Sequence, residues 1–532
     1  MESPRSGPAP QGPRPRPARL ASAASLLALA SWSLAGCSEP PASEPRDVLL
    51  FSIDSLGADH LSSYGYRSAT RPDQPTTPHL DRLIADQGVL FERTSSVTSW
   101  TLPSHLSLLT GQPIQVHGVR DLPEVLHMSH PLLAQRFAAA GWRTFGLWSG
   151  PNLHPLFGFD RGFDDYVDCS TVAVADPMGI FGVNGDDDWA EVRDIHDASH
   201  RGVTGENLVN AFGEQYATVG ADDRLFAFVH LWDVHYDYAA PKAFDVFHPQ
   251  PYRGFFDGSD FHKLNQPEQT ITEADRRRVL SLYDAEILYT DDNLRRMFDV
   301  VEAAGRMDDS LIVVTADHGE QFGEHNFFGH KESLIEQEIA IPLMVRWTAG
   351  DLAVGRRNAL VNLTDVAPTI LDLCGIDGSV DLWGRSLAPM LREDLDRVGS
   401  STVMQLSIRG QQRMEAVRLE RAKVFRLPKP EGAANPYRYV LVRMDRNTDE
   451  TERLDVGPEV PKDDPRVLRA QAVFERLDAR ADEFDRAELG VLPESLRQAL
   501  IESGYLSAGS DESGALPDGE FAPKEPIDDG SR

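Results

Sequence analysis

The sequence predicts an α/β fold in which helices cover a large, mostly parallel β-sheet, followed by a small antiparallel unit. Three observations lead to this prediction. Short apolar runs alternate with helical patterns, as they do in β-α-β units. The runs at residues 47–54, 225–231 and 310–315 are predominantly apolar, which is typical of parallel strands buried on both faces. Residues 400–455 alternate enough to indicate antiparallel strands.

The composition is that of a globular protein with one large domain and a smaller one. The chain has 532 residues, of which 41% are hydrophobic. Its formal net charge of −31 argues against a nucleic-acid partner, because binding a polyanion requires basic surface.

Residues 1–37 are typical of a lipoprotein signal peptide. Arginines precede a short apolar run, which ends in Leu-Ala-Gly-Cys, a sequence that resembles a bacterial lipobox with Cys37 as the lipid-bearing residue. This pattern predicts export and lipid anchoring to the bacterial outer membrane, on the periplasmic or cell-surface side. The alternative is an ordinary secretory signal with an incidental cysteine. Residues 38–46 are predicted to form a tether.

Only two cysteines, Cys169 and Cys374, follow Cys37. The fold therefore does not depend on a disulfide framework, and the two thiols form either one bridge or two buried free thiols.

The first predicted strand, residues 47–54, ends at Asp54. The carboxyl ends of parallel strands are where open α/β sheets bind ligands, so Asp54 is a candidate metal ligand. The alternative is a turn-initiating aspartate, but the following Ser-Leu-Gly already supplies the turn residues. A capped helix is predicted to follow and to end near Gly88.

Residues 99–111, Ser-Trp-Thr-Leu-Pro-Ser-His-Leu-Ser-Leu-Leu-Thr-Gly, predict a loop that becomes a helix and ends at Gly111. Thr101 then lies at or just before the helix N-terminus, where free N–H groups and the helix dipole favour an anion. That position suits a nucleophile for a phosphate or sulfate ester. The alternative is a threonine that only caps the helix.

Further predicted elements continue the alternation of strands and helices. A helix is predicted at residues 131–140, a strand at 142–147, a loop at 170–199 and a long helix at 272–304. His235 follows the strand at residues 225–231 closely, which places it near a strand end, although a histidine on a loop is more often structural.

The strand at residues 310–315 runs into Ala-Asp-His-Gly-Glu, so Asp317 and His318 stand at its carboxyl end. One carboxylate and one imidazole suit a divalent metal, and Gly319 allows a tight turn. Several ionisable residues follow within a short loop, and one or two of them are expected to be ordinary surface residues: Glu324, His325, His330 and Lys331.

These patterns divide the chain into five parts. Residues 47–395 are predicted to form the catalytic domain, and residues 396–490 a C-terminal subdomain with an amphipathic helix at 465–486. Residues 507–532 form a predicted disordered acidic tail, with seven acidic and two basic residues in 511–532.

With these residues placed, the chain resembles the sulfatase family of the alkaline phosphatase superfamily over residues 46–455. The segment from Asp54 to Gly65 is similar to the family's first metal motif, and Thr-Leu-Pro-Ser-His from Thr101 to its nucleophile motif, Cys/Ser-x-Pro-Ser-Arg. Asp-His-Gly at Asp317 resembles the second metal motif. The resemblance implies an alkaline-phosphatase-like mixed, mostly parallel sheet between helices, with a small C-terminal antiparallel α+β subdomain.

Where the chain departs from the family pattern, the resemblance implies altered chemistry. The motif Cys or Ser is oxidised to formylglycine in ordinary sulfatases, and Thr101 does not readily become that aldehyde. Its hydroxyl can still act as a nucleophile, as in phosphoethanolamine transferases. The implied metal ligands are Asp54, Thr101, Asp317 and His318, around one divalent ion. Because Ser55 and His318 replace oxygen ligands of the family site, Zn²⁺ or Mn²⁺ is favoured over Ca²⁺.

The resemblance also supplies the remaining catalytic candidates. His105 replaces the motif arginine and is expected to stabilise the nucleophile or the charged substrate. His235, His330 and Lys331 match or adjoin family positions that contact the non-bridging oxygens and protonate the leaving group.

These features predict a hydrolase of a phosphodiester or phosphonate monoester that acts through a covalent Thr101 intermediate. The substrate is a small-molecule, glycan or lipid-headgroup ester. The alternatives are a sulfuric ester hydrolase without formylglycine, a phosphoethanolamine-type transferase and a non-catalytic binding lipoprotein. Hydrolysis is favoured over transfer because the sequence lacks the membrane helices typical of the transferases.

Overall fold

The computed structural model describes the chain from residue 44 to residue 489, with gaps. The described ranges are 44–122, 124–170, 204–248, 251–259, 261–378, 382–393, 401–406, 413–429, 436–444, 460–484 and 488–489. The predicted signal peptide, most of the tether, the predicted loop at 170–199 and the acidic tail lie outside these ranges, apart from Ser170.

The described residues form a large mixed sheet of eight strands. These strands are β1 (Asp47–Ile53), β2 (Val89–Ser95), β4 (Arg143–Trp148), β5 (Asp165–Asp168), β6 (Leu225–Leu231), β7 (Ser310–Ala316), β10 (Ala340–Arg346) and β11 (Gly355–Asn362). They lie in the order β11-β2-β10-β7-β1-β6-β4-β5; β10 is antiparallel to both of its neighbours, and the other strand pairs are parallel.

Helices cover this sheet on both faces. The principal helices of the described residues are α1 (Pro78–Leu80), α2 (Thr101–Thr110), α3 (Ile114–His117), α4 (Leu133–Ala139), α5 (Gly205–Ala217), α6 (Glu273–Ala303), α7 (Glu336–Ile339), α8 (Val366–Leu373), α9 (Ala388–Glu393) and α10 (Pro465–Ala481). In β1, Phe51 packs against Phe212 of α5 and Phe298 of α6, whereas Ser52 bonds to His105 of α2. Because neighbouring strand residues point to opposite faces, these contacts place α5 and α6 on one side and α2 on the other.

A separate sheet of four antiparallel strands lies towards the C-terminus. The strands are β12 (Thr402–Leu406), β13 (Met414–Leu419), β14 (Ala422–Pro428) and β15 (Tyr437–Arg443). One face of this sheet packs on Leu334 and on Ile339 of α7, and the other packs on α10. The fold predicted from the sequence is thereby confirmed, including the small antiparallel sheet.

Short two-stranded pieces complete the structure: β3 (Glu124–Val125) with β16 (Glu488–Leu489), and β8 (Gln321–Phe322) with β9 (Phe328–Gly329). The predicted helix after residue 77 is shorter than expected and continues as one turn of π-helix, Asp81–Ala85. Cys169 and Cys374 are both buried and free, in agreement with the second of the two alternatives. In the described part of the chain, no helix combines the length and apolar character needed to cross a membrane.

Candidate active site and metal centre

Asp54 stands directly after β1, fully buried at the carboxyl edge of the sheet. Ser55 donates its hydroxyl to Asp54 Oδ1 at 2.8 Å, while Asp54 Oδ2 has no hydrogen-bond partner among the described residues. Burial raises the pKa of Asp54 to about 6, although His318, Ser55 and Thr101 act in the opposite direction. A buried carboxylate oxygen needs a partner, and the described part of the chain does not supply one here.

Asp317 and His318 reach the same place from β7, the strand beside β1. Asp317 Oδ1 accepts from the amides of Ser55 at 3.0 Å and His318 at 2.8 Å, and Asp317 Oδ2 has no hydrogen-bond partner. Ser104 in α2 holds this strand end by donating its hydroxyl to the Asp317 carbonyl at 2.7 Å.

The His318 ring is oriented by a backbone contact. Its Nδ1 lies 2.9 Å from the Gly319 carbonyl, an acceptor, so Nδ1 carries the proton and Nε2 offers a lone pair. Nε2 lies 3.3 Å from Asp317 Oδ2. Gly319 is required here, because a Cβ would meet the Gln337 carbonyl at 2.2 Å.

Thr101 is the first residue of α2 and is fully buried. Its Oγ1 lies 3.2 Å from His318 Nε2, and the Thr101 hydroxyl also helps to lower the pKa of Asp54. Thr101 therefore presents its hydroxyl to the acidic cluster at the positive end of a ten-residue helix. Gly111 ends that helix with a φ of 68°.

The three residues Asp54, Asp317 and His318 could hold a divalent metal. One ligand atom from each can be chosen so that all lie within 4.8 Å of one another. Two carboxylate oxygens without hydrogen-bond partners among the described residues and the Nε2 of one imidazole meet there, so a cation fits the donor set.

His105 lies beneath this cluster, and its ring nitrogens are both engaged within the protein. Nδ1 lies 2.9 Å from the Thr101 carbonyl and Nε2 lies 2.9 Å from Ser52 Oγ. Burial, with His230 nearby, lowers the pKa of His105 to about 3, so the ring is neutral. These contacts anchor the first turn of α2, which carries Thr101; the expected role of His105 towards the nucleophile or the charged substrate stays a prediction.

His235 and His330, which the sequence analysis also proposed as catalytic residues, lie on one side of the cluster formed by Asp54, Asp317 and His318. The His330 ring lies 4.3 Å from the His318 ring and 5.0 Å from the His235 ring, centroid to centroid. His330 Nδ1 bonds to Glu320 Oε1 at 3.0 Å, and His235 stacks on Trp232 at 3.9 Å.

Lys331 lies near the start of α2. Its Nζ lies 3.5 Å from the centre of the Trp100 ring and 3.2 Å from Asp121 Oδ1. Of the neighbouring ionisable residues, Glu324 pairs with Arg276 at 2.6 Å, and His325 is exposed, so these two have the surface character expected of part of this loop.

Two residues at the site were not singled out from the sequence. His230 is fully buried in β6, and its Nε2 lies 3.3 Å from Asp54 Oδ2. Its signal was a histidine inside an otherwise apolar strand, Leu-Phe-Ala-Phe-Val-His-Leu. Glu320, which orients His330, is also buried, and its only signal was its place in Asp-His-Gly-Glu.

Comparison with known proteins identifies the family to which this chain belongs. The family model named Sulfatase matches residues 46–376. The chain is 34% identical over 401 residues to the multifunctional alkaline phosphatase superfamily protein PehA of Trinickia caryophylli, covering 65% of this chain and 77% of that protein. It is 23% identical over 434 residues to the N-acetylglucosamine-6-O-sulfatase of Bacteroides thetaiotaomicron, covering 69% and 75% respectively.

Solved structures share the fold. The phosphonate monoester hydrolase of Agrobacterium radiobacter superposes with a TM-score of 0.60 at 19% identity, covering 82% of this chain and 96% of that one. A protein solved with its substrate D-glucosamine-2-N,6-O-disulfate superposes with a TM-score of 0.61 at 16% identity, covering 83% and 99%. The match of the family model to more than half of the residues shows that the chain belongs to the sulfatase family of the alkaline phosphatase superfamily, whose members hydrolyse sulfuric or phosphoric esters.

Proposed function

We propose that this protein is a metal-dependent hydrolase of phosphodiesters or phosphonate monoesters that acts through a covalent Thr101 intermediate. The observation that carries the proposal is the position of the Thr101 hydroxyl. It lies at a helix N-terminus, 3.2 Å from His318 Nε2, and it helps to lower the pKa of Asp54. A hydroxyl in this position is activated by its neighbours and needs no prior oxidation to react.

The proposed metal is held by Asp54, Asp317 and His318, with Thr101 beside them. Two carboxylates and one imidazole favour Zn²⁺ or Mn²⁺ over Ca²⁺, which prefers oxygen ligands alone. When bound, such an ion acts as a Lewis acid towards the ester and lowers the pKa of a nearby hydroxyl.

In the proposed reaction, Thr101 Oγ1 attacks phosphorus while the bond from phosphorus to the leaving oxygen breaks. The hydroxyl proton passes to water as the oxygen attacks, because Asp54 and His318 are assigned to the metal. The N–H groups at the start of α2 and the Lys331 ammonium stabilise the charge on the non-bridging oxygens. His330, oriented by Glu320, protonates the leaving alkoxide. Water then attacks the phosphorus and gives one proton to His330, while the bond from phosphorus to Thr101 Oγ1 breaks and Oγ1 takes up a proton from water.

A sulfuric ester hydrolase is the second candidate. The similarity to the N-acetylglucosamine-6-O-sulfatase favours it. The threonine at position 101 favours phosphorus, because the family's route to sulfate release depends on an aldehyde hydrate that Thr101 does not readily provide. The similarity to PehA and to the phosphonate monoester hydrolase fold also supports phosphorus esters.

The test is an assay of the full-length chain, loaded in turn with Zn²⁺, Mn²⁺ or Ca²⁺. The substrates are a bis-aryl phosphodiester, an aryl phosphonate monoester, an aryl phosphate and an aryl sulfate. We expect turnover of the phosphorus esters with Zn²⁺ or Mn²⁺, and a loss of at least about 10³-fold in Thr101→Ala. Thr110→Ala is the matched control, because this hydroxyl lies at the other end of α2 and bonds to the Leu106 carbonyl.

Acid quenching followed by mass spectrometry should find the phosphoryl group on Thr101. A preference for the aryl sulfate would replace this proposal by a threonine-type sulfatase. Turnover that survives in Thr101→Ala would contradict the covalent mechanism. Product found only with an added acceptor alcohol would indicate a transferase, and ligand binding without turnover would indicate a binding lipoprotein.

We further infer that the protein is exported and anchored to the outer membrane by a lipid on Cys37. The support is the sequence Leu-Ala-Gly-Cys after an apolar run, which lies outside the described residues. Fractionation of cells should find the protein with membranes, and Cys37→Ser should move it to the soluble fraction. Membrane association that persists in Cys37→Ser would contradict lipid anchoring.

A further inference from the structure

Lys331 has an unusual backbone conformation. Its φ is 69°, in the left-handed region that side chains with a Cβ rarely adopt. Such a conformation is unfavourable, and it persists only where the surrounding structure enforces it. Strained residues of this kind cluster at functional sites. Contacts from elsewhere in the fold therefore hold Lys331 in this conformation.

The carboxylate of Glu338 binds the residues that directly follow Lys331. Its Oε2 accepts from the backbone amides of Glu332 and Ser333, each at 3.2 Å. Its Oε1 accepts from Ser333 Oγ at 2.6 Å and from the side-chain amide of Gln321. Glu338 is fully buried, where hydrogen bonds are stronger than in water. Successive N–H groups beside a left-handed residue form a concave anion-binding site, and here the carboxylate of Glu338 fills it.

Glu338 itself is fixed to the large sheet. It lies in α7, which runs directly into β10. Its carbonyl accepts from the amide of Gly319 at 2.7 Å, and the carbonyl of the next residue, Ile339, accepts from the amide of Ser96 at 2.8 Å. These bonds tie Glu338 to the segments that follow β7 and β2. Its side chain therefore reaches the Lys331 loop from a rigid support.

The Lys331 side chain extends from this loop to the start of α2. Its Nζ lies 3.5 Å from the centre of the Trp100 ring, and the next residue is the candidate nucleophile, Thr101. Ser99 holds the same loop by donating its hydroxyl to the Ser333 carbonyl at 2.8 Å. The loop is thus fixed by α7 on one side and by the residues before the nucleophile on the other.

We infer that Glu338 is a positioning residue that acts through Lys331. By holding the two amides that follow Lys331, its carboxylate stabilises the left-handed conformation that places the ammonium at the start of α2. Four donors of the protein engage this carboxylate, so it acts on the substrate only through Lys331. The inference rests on the role of Lys331 in the proposed function, which is to stabilise charge on the non-bridging oxygens.

The test is a double-mutant cycle in the full-length protein loaded with Zn²⁺. We expect Glu338→Leu to lower kcat/KM about 100-fold for the ester that is hydrolysed fastest, because a displacement of about 1 Å costs that much. In a Lys331→Met background, the same change should have less than about a twofold further effect, because residues that act as a unit are not additive. A residue that only stabilises the fold would lower kcat/KM equally in both backgrounds.

Two further variants separate the reach of the side chain from its charge. Glu338→Gln keeps the length, so its amide oxygen accepts from the two backbone amides, while its NH₂ group donates to Gln321 Oε1, which has no hydrogen-bond partner among the described residues. We expect this variant to keep most of the wild-type kcat/KM. Glu338→Asp keeps the charge but is shorter, and we expect it to lose activity as Glu338→Leu does. It replaces Glu338→Leu in the cycle if circular dichroism shows that the leucine variant is unfolded.

The matched control is Ser333→Ala. This change removes the hydroxyl that donates to Glu338 Oε1, but it leaves the Ser333 amide that donates to Oε2. We expect kcat/KM to be unchanged, because the backbone that follows Lys331 is still held.

Binding of inorganic phosphate gives a second readout that does not depend on turnover. Calorimetry measures its Kd in the same zinc-loaded proteins. We expect the Kd to rise about 10-fold in Glu338→Leu and in Lys331→Met, because the loss of a hydrogen bond to a charged group has an effect of this size. The double variant should bind phosphate no more weakly than Lys331→Met.

The results separate this inference from the proposed function. Equal losses in both backgrounds, or full activity in folded Glu338→Leu, would overturn the inference even if esters are hydrolysed. A loss in Glu338→Gln as large as that in Glu338→Leu would also overturn it, because the charge would then be the cause. A coupled loss of phosphate affinity in a protein that hydrolyses none of the four esters would uphold the inference and overturn the function. A wild type that neither hydrolyses an ester nor binds phosphate would overturn both.

Discussion

Three histidines of the site are fully buried and share one feature: each has Nδ1 beside a backbone carbonyl. The acceptors are the carbonyls of Thr101 for His105, Ser149 for His230 and Gly319 for His318. Each contact fixes the tautomer and leaves Nε2 with a lone pair. Ser52 Oγ uses that lone pair on His105, whereas those on His230 and His318 face carboxylate oxygens.

At the same scale, the role of His330 as general acid can be tested by changing the leaving group. We expect His330→Ala to lower kcat by about 10²- to 10⁴-fold for esters of poorly acidic alcohols, which need a proton as they leave. For esters of acidic phenols, kcat should fall much less. Steady-state rates over a series of leaving groups check this prediction, with the exposed His325→Ala on the same loop as control. An equal loss for all leaving groups would contradict the role of His330 as the acid.

At the scale of elements, Asp291 joins α6 to the short helix α1. Asp291 Oδ2 and Oδ1 accept from the amides of His79 at 2.9 Å and Leu80 at 2.8 Å. The first turn of α1 is thus capped by a side chain from another helix, since Thr77 makes no side-chain cap hydrogen bond. Burial raises the pKa of Asp291 to about 8, against the effect of the two amides.

This raised pKa predicts a pH dependence of stability. The folded state keeps a proton on Asp291 that the unfolded state releases near pH 3.8, so the contribution of Asp291 to stability is greatest below pH 3.8 and declines as the pH rises towards 8. Between pH 5 and 7, the free energy of unfolding of the wild type should fall by about 1.4 kcal/mol per pH unit more than that of Asp291→Asn, because the asparagine side chain does not titrate. Urea unfolding at several pH values measures this difference. An unfolding free energy that changes with pH in the same way in both proteins would contradict the prediction.

At the scale of the whole molecule, Glu336 links the large sheet to the C-terminal sheet. Glu336 begins α7 and pairs with Lys423 at 3.0 Å and with Arg418, both from the C-terminal sheet. Burial alone would raise the pKa of Glu336, but Lys423 and Arg418 outweigh it and lower the pKa to about 2. The same segment continues to Glu338, whose carbonyl accepts from the amide of Gly319 at 2.7 Å. The C-terminal sheet is therefore connected to the candidate metal site.

We expect Glu336→Gln to lower the free energy of unfolding by about 3–5 kcal/mol at pH 7, because two buried cations lose their anion. The stabilising effect of Glu336 is complete above pH 4.5 and declines as the pH falls towards 2, since the folded-state pKa is depressed. The difference in the free energy of unfolding between wild type and Glu336→Gln should therefore decrease by about 1.4 kcal/mol for each pH unit below 4.5. Urea unfolding at pH 7 and 3.5 measures both quantities.

The matched control for Glu336 is Glu420→Gln at the same junction. Glu420 pairs with Arg93 at 2.5 Å, but its side chain is 42% exposed. Exposed pairs contribute about 0–1 kcal/mol, so this change should have little effect. Equal losses in the two variants would show that burial does not set the strength of the Glu336 pairs.

The sequence by itself determined the α/β class and the residues at the ends of β1 and β7. Apolar runs that end in Asp54 and in Asp317-His318, and a helix that starts at Thr101 and ends at Gly111, are local patterns. Such patterns are readable because side-chain periodicity and end residues depend on neighbours in the chain. The prediction that these residues meet followed from the parallel sheet and from the resemblance to a family.

Only the tertiary structure decided which other groups face that cluster. His230 comes near Asp54 because β6 lies beside β1 with His230 opposite Ser52, although about 180 residues separate them in the chain. His105 proves to be bonded on both nitrogens, which its place in the motif did not reveal. Strand order and register depend on contacts between distant segments, and local periodicity does not encode them.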